Sequence, residues 1–202
     1  MSPELQLQLE QYRTDNEQRL ARLHPSDTIK GLFIRRYLDL CEELGGAALR
    51  DRGLECLDEK RIFDFVNYPY ASIVRMGTLL SLELAPRYPS VDAWLRDMGR
   101  LATVSYLRSL LGRAFLSTLS PSPRAMLTGM PWAIKTTFAF GERSVAFPGE
   151  KHCVFSCRGD FSPAASNAGA VQSAIEEVGA KDVVVTVQSV DLFNYDLDVR
   201  WR

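Results

Sequence analysis

From the N-terminus to Leu119 the apolar positions of this 202-residue chain recur three and four apart, and beyond Pro131 they alternate with polar ones. The longest periodic stretch is Pro86 to Leu119. Trp94, Leu95, Met98, Leu101 and Ala102, then Leu107, Leu110, Leu111, Ala114 and Phe115, fall at helical spacing. Ser90 stands where an N-cap belongs, and Asp92 suits the positive end of the helix dipole. The pattern predicts one long, mostly buried helix. Gly99 and Gly112 would each cost it about 1 kcal/mol relative to alanine, which predicts that another element passes close to the backbone there.

Upstream, Ser2 and Pro3 open a helix that runs to about Leu23, with Leu5, Leu9 and Tyr12 on one face and a polar run from Thr14 to Arg19. It reads as a helical arm, residues 1–25. Leu5, Leu9 and Tyr12 are its candidate partner face. His24-Pro25-Ser26-Asp27 breaks the chain. A second helix, Thr28 to Leu44, is closed by Gly45-Gly46. Short helical pieces and loop follow to residue 67. Tyr68-Pro69-Tyr70 starts another helix, with Ile73, Val74, Gly77, Leu80 and Leu84 as its stripe.

After Ser120-Pro121-Ser122-Pro123 and a short helical turn, the period changes. Trp132, Ile134, Thr136 and Phe138 alternate with their neighbours and predict a strand. Ser144 to Phe147 and Lys151 to Arg158 predict two more. A helix from Pro163 to Val178 and strands over 181–190 and 195–201 complete the order. Helices followed by strands argue for an α+β fold rather than alternating α/β. The expected architecture is a helical half packed on one face of a twisted antiparallel sheet of about five strands. One helix lies between strands 3 and 4, and residues 26–202 form a single domain.

Composition narrows the function only by exclusion. Net charge is -1, so nothing draws the whole chain toward nucleic acid or an anionic membrane. No run is long enough for a transmembrane helix, and no basic-then-apolar leader is visible, so the expected location is the cytoplasm. The four cysteines are irregularly spaced. Cys153 and Cys157 share a strand face about 13 Å apart, too far for a disulfide or a shared metal ion. The two histidines, His24 and His152, complete no catalytic motif. Gly45-Gly46 lacks the lysine of a phosphate loop. The expectation is no enzyme, no metal and no cofactor. Two sets of residues remain as candidates. Phe63, Phe65, Trp94, Gly99, Gly112 and Trp132 could line a ligand pocket between helices and sheet, as aromatics and close backbones do. Arg87 and Arg113 are the candidate anion contacts.

Several tracts carry a resemblance: T-I-K-G-L-F-I-R-R-Y at 28–37, F-V-N-Y-P-Y at 65–70, P-R-Y-P at 86–89, W-L-R-D-M-G-R at 94–100 and S-L-L-G-R-A-F-L at 109–116. E-E-V-G-A-K-D-V-V-V at 176–185 and the Y-D-L-D-V-R-W tail extend it. From about residue 26 onward the chain resembles a myxobacterial paralogous family of unknown function. That family is similar in fold to heme-based nitric-oxide sensor domains, four-vinyl-reductase-type domains and TRAPP subunits. The resemblance implies an α+β binding or scaffolding domain, often dimeric and rarely catalytic. The heme-sensor subgroup uses a helix histidine and a Tyr-x-Ser-x-Arg motif. This chain has neither; in Tyr106-Leu107-Arg108-Ser109 the spacing is wrong. The leading expectation is therefore a non-enzymatic regulatory or adaptor protein that works through protein contacts, as a homodimer. The alternative is a sensor of an apolar or acidic small molecule.

Overall fold

The computed structural model describes residues 2–59 and 61–202. The chain divides into two compact units, residues 1–94 and 95–202.

The first unit is mainly helical. Helix α1 (Pro3–Arg22) is capped by Ser2, whose hydroxyl accepts from the Leu5 amide. Its Leu5, Leu9 and Tyr12 are buried, and the helix packs on α3 (Ala71–Leu84). The face expected to receive a partner is thus covered by the chain itself, so α1 is an integral helix of the unit and not a loose arm. Thr28–Lys30 forms a short strand, β1, where helix was expected. It pairs antiparallel with β2 (Asn67–Pro69), Ile29 opposite Tyr68. Helix α2 (Gly31–Glu55) follows directly and breaks at Gly46, whose φ of 75° suits glycine alone among common residues. The glycine pair does interrupt the helix, but a further helical segment continues beyond it.

Helix α4 (Val91–Arg108) begins in the first unit and continues into the second. It starts as expected, with the Ser90 hydroxyl accepting from the Ala93 amide. It does not run on to Leu119. Ser109 is extended (φ -69°, ψ 168°) and caps a separate helix, α5 (Leu110–Ser117), by accepting from the Gly112 amide. Gly112 faces the Tyr106 and Leu107 backbone across this corner.

In the second unit, α6 (Pro123–Lys135) is capped by Ser122 and continues through Pro131. This overturns the predicted strand at 132–139. Met126, Leu127, Met130 and Ala133 are buried at helical spacing, and the two-residue alternation of Trp132, Ile134 and Thr136 spans only the last turn and its exit. The sheet therefore has four strands. They are β3 (Glu142–Gly149), β4 (His152–Arg158), β5 (Val184–Ser189) and β6 (Tyr195–Arg200), all antiparallel in the order β3-β4-β6-β5. Helix α7 (Ala164–Glu176) lies in sequence between the second and third of them. Cys153, Phe155 and Cys157 of β4 and Tyr195, Leu197 and Val199 of β6 point into one core with α6 and α7. The opposite face carries His152, Asp196, Asp198 and Arg200. At the β5 edge the Val185 carbonyl accepts from Arg96 Nη2 of α4 at 3.2 Å.

Helices α4 and α7 cross at backbone contact. A methyl group on Gly99 would lie 1.8 Å from the Ser166 carbonyl oxygen, and one on Gly169 would lie 2.0 Å from that of Arg96. The close approach expected at Gly99 is present, and α7 answers it with a glycine of its own. Among the described residues, no helix is long and apolar enough to cross a membrane.

Candidate functional site

The interior of the first unit contains a polar cluster that the hydrophobic pattern concealed. Leu5, Leu9 and Tyr12 continue at the same four-three spacing to Asn16 and Arg19, so the buried stripe of α1 ends in polar side chains. Asn16 Nδ2 donates to Thr78 Oγ1 of α3 at 2.8 Å, and Thr78 Oγ1 donates to the Val74 carbonyl at 3.0 Å. Trp94 Nε1 donates to Ser81 Oγ at 2.9 Å. Tyr12 sits between these pairs. Burial pushes its phenol up, against hydrogen bonding to Asn16, the Arg19 charge and hydrogen bonding to Ser81. A methyl group on Gly77 would meet the Tyr12 hydroxyl at 3.2 Å, so α1 and α3 approach closely there.

Arg19 stands apart in this cluster. It is 4% exposed, its Nη1 donates to Asn16 Oδ1 at 2.7 Å, and its Nε is buried with no hydrogen-bond partner. The signal in the sequence was the heptad-like spacing 5, 9, 12, 16, 19; the residue types at 16 and 19 masked it.

The second unit also buries an arginine, and it is fully engaged. Arg143 Nη2 lies 2.7 Å from Asp160 Oδ2, with Nε donating to the same oxygen at 3.1 Å. Asp160 further accepts from the Ser162 amide at 2.8 Å and from Asn167 Nδ2 at 3.0 Å. Every oxygen of that carboxylate is used, and Phe140, Phe161 and Phe193 pack edge-to-face in series nearby. The arrangement fixes the chain on either side of β4.

The predicted pocket residues lie in different surroundings. Trp94 is buried in the first unit on Ser81, whereas Phe63 and Phe65 are exposed in the loop after α2. Gly99 and Gly112 are occupied by backbone as described. Trp132 is exposed on α6, its ring stacked 6.4 Å from Phe115 of α5. Of the candidate anion contacts, Arg87 is exposed and donates to the Leu44 carbonyl, and Arg113 is exposed on α5. The first unit has a separate cavity of about 130 Å³. Ile34, Leu57, Ile62 and Tyr68 line it, with the carboxylates Asp58 and Glu59.

The thiols are chemically quiet. Burial pushes Cys41 and Cys153 up to about 11 and Cys157 to about 12, so all three are protonated near neutral pH. His24 shares a hydrogen bond with Ser26 in the turn after α1, and His152 Nε2 lies 2.7 Å from Asp198 Oδ2 on the sheet. Among the described residues, no group of three histidine, cysteine or carboxylate side chains could hold a metal ion.

A family described as "Protein of unknown function (DUF2378)" matches residues 22–202. The chain belongs to the DUF2378 family. This member matches no curated protein. Among solved structures, its fold is that of H-NOX proteins. The Fe(II) unliganded H-NOX protein from K. algicida is 14% identical with a TM-score of 0.69, over 86% of this chain and 97% of that one. The S. oneidensis H-NOX protein in the Fe(II)NO ligation state is 8% identical with a TM-score of 0.69, over 86% and 99%. An oxygen-binding H-NOX domain related to soluble guanylate cyclases is 10% identical with a TM-score of 0.64, over 86% and 95%. At these identities the likeness is one of fold.

Heme, which those structures bring to mind, does not fit the donors of this DUF2378 chain. Neither histidine is on α4, α5 or α6; one is in a turn and the other is tied to Asp198 on a strand. Cys153 and Cys157 point from β4 into the packed core with α6 and α7, among side chains that fill it.

Proposed function

We propose that this DUF2378 protein is a non-enzymatic regulatory sensor that holds a small molecule through protein side chains, without heme iron. The observation that carries the reading is the buried polar cluster of the first unit, with Arg19 Nε left unbonded. A native interior rarely leaves a charged group with an unmade hydrogen bond, so such a group marks a place for a ligand or an ordered water. The fold shared with H-NOX proteins over 86% of the chain supports the sensor class, and among the described residues no convergent nucleophile, base and orienting group argues for catalysis.

A second reading rests on a different feature. Leu110, Leu111 and Trp132 are exposed and apolar on neighbouring helices of one unit, a surface suited to protein contact or to a second copy of the chain. Native mass spectrometry of freshly purified protein separates the two. The sensor reading expects the chain mass plus a small organic molecule, or ready uptake of one from a metabolite mixture. Twice the chain mass with nothing bound, reverting to monomer in Trp132→Lys, favours the contact reading and counts against the sensor.

A further inference from the structure

Five buried side-chain atoms have no hydrogen-bond partner among the described residues. Four belong to groups already in ion pairs: Arg36 with Glu43, Arg50 with Glu42, Asp64 with Arg35 and Asp196 with Arg158. Arg19 is in no ion pair among the described residues, and neither undescribed residue, Met1 or Lys60, is acidic. A guanidinium cannot shed its proton in a protein. A charge 4% exposed with one neutral acceptor is therefore short of a counter-ion. The carboxyl end of α1 helps, but a helix dipole supplies only about half a charge.

The unused side of the group defines what would fit. Nη1 is spent on Asn16, which leaves Nε without a partner. Nε and its neighbouring Nη form the fork that meets both oxygens of a planar carboxylate. Resting on the sensor reading above, we infer that the ligand is a small monocarboxylate, bound two-pronged by Arg19. Asn16, itself bonded to Thr78, holds the guanidinium in place through Nη1. Because Arg19 is 4% exposed, the ligand reaches it only if the packing around it yields.

Thermal melts of the full chain test this, with acetate, butyrate and octanoate against chloride, phosphate and octanol at matched ionic strength. At a hundredfold excess over Kd, a carboxylate should raise Tm by roughly 5–10 °C. Octanol and phosphate should not. Arg19→Met removes an uncompensated charge, so it should melt at or above the wild type in chloride and lose the carboxylate shift. Arg19→Lys keeps the charge without the fork, and should lose most of the shift even if the Met variant fails to fold. No shift in the wild type with any carboxylate, or equal shifts in wild type and variants, overturns the inference. If carboxylates fail while native mass spectrometry still finds a different bound molecule, the sensor reading stands and only the ligand class falls.

Discussion

Asp198 links the outer face of the sheet to pH. Burial alone would raise its pKa, but hydrogen bonds from His152 and Arg200 outweigh burial and hold it below the usual carboxylate value. A carboxyl depressed in the folded state contributes stability that is full above its unfolded pKa, near 4, and is lost as pH falls through the folded value. The pair is partly open to solvent, so its contribution is about 1 kcal/mol. Asp198→Asn should lower stability by about that much at pH 7 and flatten the acid limb of a denaturation-midpoint profile; an unchanged limb would remove Asp198 from the account. Residues of this kind were only half legible in the sequence. The alternation of 196, 198 and 200 placed Asp198 on a polar face, but its partner 46 positions away is set by strand register. Arg19 was harder, because a charged residue on a helix is usually solvated, and only the spacing from Leu5 and Leu9 betrayed it.

Between elements, backbone proximity decides the geometry. At an exposed helical site Gly→Ala is expected to stabilise, by up to about 1 kcal/mol. Gly99 and Gly169 reverse that sign, since each faces a carbonyl of the opposite helix and neither helix can yield without separating from the other. Gly99→Ala and Gly169→Ala should each cost roughly 2–4 kcal/mol in urea unfolding. The double variant should cost less than the sum, because either methyl group alone already parts the helices. The glycine in α4 was readable as a demand for a close neighbour. The identity of that neighbour was not, since α7 lies some 65 residues downstream and only the fold brings it there. The same limit explains residues 132–139. Their short alternation suits a strand, and the buried positions of α6 that settle the matter lie upstream of Pro131.

At the scale of the molecule, the order of helices followed by strands was legible from the change of period, and it fixes the α+β class. The strand count was not, because one apparent strand is the end of a helix. Each unit nevertheless encloses its own buried residues, and each resolves a buried arginine differently: Arg143 within the protein, Arg19 only in part. The β5 edge carries one more consequence. From Val183 to Val190 the strand and its flanks read V-V-V-T-V-Q-S-V, with no charge and no proline, at the margin of an open sheet. Such a segment is a template for cross-β growth, and natural edges are normally guarded by charge. Here the guard comes from outside the strand: Arg96 reaches across to the Val185 carbonyl. Arg96→Ala should leave the fold intact by circular dichroism yet scatter light and bind thioflavin on standing, whereas a variant that stays clear would show that the edge is guarded by other means. On this account, one guanidinium stands between a folded chain and a polymer.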